Sequence, residues 1–240
     1  MTGNFRLDGV EISSDQELEF PTDEVLGVDH IEASDLAQLL MVFNGSRVHE
    51  QPQHDTGQDD SPPGVYFTYV NSEVVWPGHK NRIGVYRTGD ENALFLAADE
   101  ALEAVGAAGD PQRAVHVDHF YLHDDAPNLL GTVAFALSAI VAHRLGFSTI
   151  SLIAGGGVGY NPRMFGYKFW PQLGFDADVE EIEVRGKAEL RHCRSVQQII
   201  AIDLEWWKVN GTQRWMEFDL RAESPSWGKL LEYLHGKGLI

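Results

Sequence analysis

The sequence predicts a mixed α+β fold built around a central, mostly antiparallel sheet. Three observations lead there. Residues 65–70 (VYFTYV), 82–87 (RIGVYR) and 93–97 (ALFLA) are short, rich in β-branched or aromatic side chains and separated by turn residues, which is the pattern of an antiparallel meander. From 114 to 173 the pattern changes to strand, helix, strand, helix. The tail then adds a helix, a strand and a last helix of its own.

Residues 1–30 are acidic and weakly patterned, and read as a loosely held arm or an irregular first strand. Over 32–43, Ile31, Leu36, Leu39, Leu40 and Phe43 fall near helical spacing, with Ser34 as N-cap and Gly45 as the stop. The polar, Pro- and Gly-bearing stretch 46–64 reads as a loop. Residues 98–108 suit a short helix closed by Gly109-Asp110-Pro111. The longest strand candidate is 114–123 (AVHVDHFYLH). A long apolar helix follows over 127–145 and ends at Gly146, then a strand over 149–154, a glycine turn over 155–159 and a helix over 162–173. Residues 179–184 suggest a further strand. In the tail, Ser195 and Gln198 have capping-box spacing at the start of a helix over 195–209. Residues 215–220 alternate as a strand, and Ser224-Pro225 opens a helix over 226–234 that Gly236 stops. The expected organisation is an N-terminal arm with one helix and a polar loop (1–64), a core (65–184) and an α/β extension (185–240).

The chain has 240 residues, 43% of them apolar, enough for a core without disulfide staples. Its single cysteine, Cys193, excludes an intrachain disulfide and a cysteine-built zinc site, and fits a reducing compartment. The first residues lack the basic start and apolar run of a secretory signal, and no run of 18 apolar residues exists to span a membrane, so a cytoplasmic location is expected. A formal net charge of −18 opposes nonspecific binding to nucleic acid or anionic lipid; its plain reading is solubility, and its sharper one a cationic partner or substrate.

The chemistry is expected between 113 and 177. Two strands joined by a helix make a right-handed crossover when they run parallel. The turn into that helix, Asp124-Asp125-Ala126-Pro127-Asn128-Leu129-Leu130-Gly131, turns backbone N–H groups and a positive dipole end toward whatever lies in front, which suits a diphosphate. Gly131 permits close backbone approach.

Asn128-Leu129-Leu130-Gly131-Thr132-Val133 at the turn and Phe169-Trp170-Pro171-Gln172-Leu173-Gly174-Phe175 at the close of the second helix resemble the GNAT N-acetyltransferases, over roughly 113–177. The run from Gly166 to Phe175 (Gly-Tyr-x-x-Trp-x-x-x-Gly-Phe), with Trp206-Trp207, Phe218-Asp219-Leu220 and Ser226-Trp227 after it, is similar to a divergent branch found in bacterial polymorphic-toxin and phage-associated proteins. The resemblance implies acetyl-CoA or another acyl-CoA as co-substrate and an amine as acceptor. It implies that the strands 114–123 and 149–154 splay, with the thioester accepting hydrogen bonds near Tyr121 and Leu122. The acyl-CoA contacts it implies are Tyr121, Leu122, Asn128, Leu129, Leu130, Gly131, Thr132, Val133, Arg163 and Trp170. Three positions depart from the family pattern. Asn128 stands for Gln or Arg, Val133 for Gly or Ala, and Trp170 for the Tyr that protonates the departing thiolate. An indole N–H is no useful acid, so Tyr167, one turn earlier on the same face, is the candidate in its place.

Alternation along 114–123 sends His116, Asp118, Phe120 and Leu122 to one face and Val115, Val117, His119, Tyr121 and His123 to the other. Asp118 and His119 are the candidate bases for an ammonium acceptor. The plainer reading makes them hydrogen-bonded surface groups, and His116 with Asp118 offers too few ligands for a metal. Trp206, Trp207, Trp215 and Trp227 read as core, and Cys193 beside His192 as a bystander thiol. The expected function is acyl-CoA-dependent N-acylation of a small-molecule or protein amine, in an effector-type setting if the branch resemblance is followed. The alternative is a catalytically degenerate GNAT fold that binds a ligand or partner without turnover.

Overall fold

The computed structural model describes residues 11–12, 31–53, 61–62, 64–88 and 112–240. The expected strand 93–97, the helix 98–108 and most of the N-terminal arm lie outside them. The protein is mixed α+β with mostly antiparallel strands, and it divides into two compact units, Met1–Ser148 and Thr149–Ile240. That division falls inside the expected core of 65–184. Among the described residues, no helix is long and apolar enough to cross a membrane.

The first unit is a meander. Strands β2 (Arg47–Gln53), β3 (Gly64–Val70), β4 (Asn81–Arg87) and β5 (Arg113–His119) pair antiparallel in chain order, and the two-residue β1 (Glu11–Ile12) runs parallel to β2. Strand β2 replaces much of the expected loop 46–64. Its polar sequence hides a strand because the partner makes it: Arg47 faces Val70 and Gln53 faces Gly64, so the whole segment is taken up by the β3 ladder.

At the centre of the sheet, Tyr66 of β3 lies opposite Gly84 of β4. A Cβ at Gly84 would sit 2.4 Å from Tyr66 Cδ1, so the glycine leaves the volume that the fully buried tyrosine ring fills. His116 of β5, 1% exposed, meets the rings of Tyr66 and Tyr86 edge-on at 6.4 and 6.3 Å.

Strand β5 is shorter than the expected 114–123. Arg82 faces His119 while Ile83 faces Val117, so Asp118 is an extra residue, a β-bulge. A bulge bends its strand and disrupts the ladder, and β5 ends one residue later.

Helix α1 (Ala33–Leu39) and helix α2 (Leu130–Arg144) belong to the same unit. The N-cap of α1 is Glu32, with Ser34 inside the helix. It stops well before Gly45: Met41 takes the left-handed conformation (φ 51°), Val42 N–H donates to the Ala37 carbonyl at 2.8 Å and Met41 N–H to that of Gln38 at 3.1 Å. Burial holds a non-glycine there, since Met41 is 2% exposed and its carbonyl accepts the Tyr69 hydroxyl at 2.6 Å. Helix α2 ends as expected. Gly146 (φ 77°) donates to His143 O and Phe147 to Ala142 O, both at 3.0 Å. Ser138 Oγ in α2 donates to the Leu39 carbonyl of α1 at 2.7 Å.

The second unit pairs β6 (Thr149–Gly157) antiparallel with β7 (Thr212–Asp219). The glycines expected as a turn extend β6 instead. Residues 164–165 approach so closely that a Cβ on Gly156 (φ 100°) would lie 2.0 Å from the Met164 carbonyl oxygen. The expected helix 162–173 is only α3 (Gly166–Phe169) followed by a 3₁₀ turn (Trp170–Leu173). Asn161 caps a local turn at Arg163 and Met164, and Pro171 has no amide for an α-helical bond. The expected strand 179–184 is helix α4 (Glu181–Val184), nucleated by a reciprocal Glu180–Glu183 capping box. Helix α5 (Val196–Asn210) starts on Ser195, whose side chain accepts from Gln198 N–H. It kinks at Asp203 (φ −150°, ψ 83°), whose carboxylate recaps the helix on Trp206 N–H at 2.8 Å and pairs with Lys187. Helix α6 (Pro225–Gly236) follows Ser224.

The core of this unit is a relay of rings. Phe169, Trp170, Phe175, Phe218 and Trp227 meet in sequence at centroid distances of 5.1, 5.3, 5.7 and 5.3 Å. Trp207 is core as expected, whereas Trp215 is 36% exposed.

Gly84→Ala forces its methyl against a ring with nowhere to go, and is expected to destabilise the protein by about 1–3 kcal/mol. The check is urea unfolding, with a lower midpoint at unchanged slope; an unaltered midpoint contradicts this packing.

Candidate functional site

The densest polar cluster among the site candidates forms around the bulge. Asp118 has a side chain only 5% exposed, yet three donors converge on it. Ser61 Oγ donates to Oδ1 at 2.9 Å, Arg82 Nη1 to Oδ2 at 2.5 Å, and His119 Nδ1 lies 2.7 Å from Oδ2. Burial alone would raise the carboxyl pKa, but the hydrogen bond and charge of His119, with the Ser61 and Arg82 bonds, overcome it and hold Asp118 at about 2. The group is therefore ionised at neutral pH. Because its folded value lies below the unfolded 3.8, the stability it contributes is complete above that value and is lost as pH falls through about 2.

One ring organises two of those donors. The Arg82 guanidinium lies 4.2 Å above the centre of the Tyr66 ring, and the Tyr66 hydroxyl donates to the Pro62 carbonyl at 2.6 Å, next to Ser61. The glycine at 84 thus reaches the site through Tyr66.

Strict alternation would send Asp118 and His119 to opposite faces, and the bulge brings them together. With Nδ1–H donating to Asp118, the basic lone pair of a neutral His119 is on Nε2. The His119 side chain is 41% exposed, so solvent and solutes reach it. Of the two candidate bases, a carboxylate held near 2 and ringed by donors is the weaker proton acceptor, and the imidazole is the stronger.

Beyond the bulge, the chain leaves the ladder but stays anchored. Tyr121 N–H donates to Asn81 Oδ1 at 2.6 Å, and Asn81 Nδ2 donates to the Tyr69 hydroxyl at 3.0 Å. Burial pushes the Tyr69 phenol up, and burial with the nearby Asp118 charge pushes Tyr121 up. The Tyr121 amide is therefore already paired within the chain.

At the start of α2, Leu129 is left-handed (φ 64°), Leu130 N–H donates to the Pro127 carbonyl and Val133 N–H to the Leu129 carbonyl, both at 3.0 Å. The amides of Leu130 and Val133, two of the implied acyl-CoA contacts, are therefore spent within the turn. Gly131 and Thr132 occupy helical positions whose amides the helix itself does not use. Gly131 brings this helix start against the strand end, since a Cβ there would lie 3.1 Å from Leu122 Cδ1 and 3.4 Å from Phe120 Cε1. Asn128 is exposed and Val133 half-buried.

The remaining candidates belong to the second unit. The Tyr167 hydroxyl donates to the Lys208 carbonyl at 2.9 Å, its residue is 6% exposed, and its own carbonyl accepts Trp207 Nε1–H at 2.8 Å. Trp170 is 7% exposed, within the ring relay. Arg163 is exposed in the turn that Asn161 caps.

Ser61, Arg82, Asn81 and Tyr66 escaped the sequence reading. Only Arg82 carried a signal, as the cation that opens the strand 82–87. The chain matches no family model, no curated protein and no solved structure.

Asp118→Asn is expected to flatten the acid limb of stability. Urea midpoints of the parent should fall between about pH 4 and pH 2 more steeply than those of the variant; parallel profiles contradict the buried, charged carboxylate. Tyr167→Phe strands the Lys208 carbonyl and should lower unfolding free energy by about 1 kcal/mol, read as a fall in urea midpoint; an unchanged midpoint argues against that bond.

Proposed function

We propose that the chain is an acyl-CoA-dependent N-acyltransferase, most simply using acetyl-CoA, that acts on an amine arriving as a cation. The observation that carries this reading is the bulge at Asp118, one residue before β5 ends, where an imidazole anchored through Nδ1 stands beside a strand end packed on the start of α2. A transferase of this kind needs a base near neutral pH, a backbone donor for the thioester carbonyl and a seat for the pyrophosphate. In this reading those roles fall to His119, Leu122 and the amides of Gly131 and Thr132, all of the same unit.

In this reading His119 Nε2 takes a proton from the ammonium, and the freed amine nitrogen attacks the thioester carbonyl carbon. The C–N bond forms, the C–S bond breaks, and the CoA thiolate takes up the second proton that nitrogen sheds. Asp118 stays ionised and stabilises the imidazolium. The −18 charge of the chain favours a cationic acceptor over an anionic one.

A second reading has its own support. Trp170 stands where the resemblance expects an acid, and the nearby Tyr167 hydroxyl is committed to Lys208. A protein that binds acyl-CoA without turnover fits those two facts, and heat on titration with acetyl-CoA but no product from an amine panel would favour it.

Gly131→Val should weaken acetyl-CoA binding at least tenfold in a calorimetric titration, with an unchanged circular dichroism spectrum; undiminished affinity contradicts the phosphate seat. His119→Gln should lower kcat by roughly a hundredfold or more, with a smaller change in KM for the amine and loss of the acid limb of the pH profile. Equal rates would remove His119 as the base.

A further inference from the structure

The connection between β3 and β4, residues 71–80, lies along the segment that follows β5. His123 N–H donates to the Val74 carbonyl at 2.8 Å. Across that junction the rings pair off. Trp76 meets His123 at 5.6 Å, His79 meets Tyr121 at 4.4 Å, and Tyr121 meets His119 at 5.9 Å. Residues 119, 121 and 123 are spaced two apart, so an extended segment presents them on one side.

These rings are not core. Trp76 is 39% exposed, His79 is exposed, and the His123 side chain is 29% exposed. The tip that carries two of them is pinned. Asn71 Oδ1 accepts Glu73 N–H at 3.0 Å and Val74 N–H at 3.3 Å, Asn71 Nδ2 donates to the Asn44 carbonyl at 2.8 Å, and His79 N–H donates to the Trp76 carbonyl at 3.0 Å. A ring surface held in place this way loses little freedom when it binds something.

We propose that the face formed by Trp76, His79, Tyr121 and His123 binds an organic cation, an ammonium or guanidinium group. The reasons are electrostatic. The ring faces of Trp76 and Tyr121 carry partial negative charge and attract cations. The rim adds full negative charge: Asp124 and Asp125 are exposed beside the rings, and Asp125 Oδ2 is 3.4 Å from His123 Nδ1. Glu73 of the tip is exposed as well, against the exposed cation Lys80. An anionic ligand would meet those carboxylates, and a neutral one would gain nothing from them. Among the described residues no group of three His, Cys, Asp or Glu side chains is set to hold a metal ion, and exposed ring faces suit an organic cation.

The face adjoins His119 through Tyr121. If the acyl-transfer reading holds, this is the acceptor's docking site, where the ammonium is held before His119 deprotonates it. The cation site itself does not depend on that reading.

The test uses choline, which carries no N–H and cannot be acylated on nitrogen, beside its neutral isostere 3,3-dimethylbutanol. Signals of the Trp76 indole and the His79 and His123 imidazoles are followed by NMR at low and high salt. Choline should give saturable shifts confined to this face. Trp76→Ala should weaken its binding by about fivefold or more. Asp124→Asn with Asp125→Asn should weaken it less and reduce the salt dependence. Both sets of substitutions fall on exposed side chains, and circular dichroism confirms the fold. Equal binding of 3,3-dimethylbutanol, parental affinity in Trp76→Ala, or no saturable shift with choline would each overturn the proposal. Choline binding without any heat from acetyl-CoA would leave the cation site standing and remove the acyl-transfer reading.

Discussion

A carboxylate taken out of water must be compensated, and Asp118 sets that demand for the first unit. Losing hydration penalises its charged form, so the surrounding groups have to supply what water would have supplied. Ser61, Arg82 and His119 do so from three different parts of the chain: a short segment before β3, the start of β4, and the next residue along. The result is a fixed anion at the end of the sheet. A fixed anion gives a neighbouring imidazole a defined orientation and a defined tautomer, and those properties make His119 more than a surface histidine.

The arrangement reaches back into the packing. Gly84 has no side chain, so the Tyr66 ring lies across it, and that ring carries the Arg82 guanidinium on its face while its hydroxyl holds the Pro62 carbonyl. A sequence change at the middle of β4 is thereby coupled to the geometry of a group at its edge. The second unit is organised differently. Its stability rests on the relay of five rings from Phe169 to Trp227 and on Trp207, and Tyr167 and Trp170 contribute to that packing.

Where a signal was local, the sequence was readable. The β-branched runs of β3 and β4, the apolar run of α2 with Gly146 behind it, and Ser195 at the head of α5 each carry their own instructions. Strand β2 was not readable, because its partner and not its composition makes it extended. Residues 181–184 have valine and isoleucine like a strand, but a capping box of two glutamates turns them into a helix. The same distinction applies to the site. Asp118 and His119 stood out as titratable groups on a strand, but their contact depends on a bulge, and a bulge is a property of the pairing with β4. Ser61 lies 57 positions from Asp118 and Arg82 lies 36, and nothing near either residue announces the partner. For Tyr121, whose amide goes to Asn81, and for Leu130 and Val133, whose amides close the turn, the type of residue could not reveal that the donors were already in use.

The central claim is that Asp118 sets the tautomer of His119, and nitrogen-15 NMR of the imidazole reads that directly. The account predicts that neutral His119 carries its proton on Nδ1 in the parent protein and loses that preference in Asp118→Asn. A parent protein whose His119 carries its proton on Nε2, unchanged by the substitution, would contradict it.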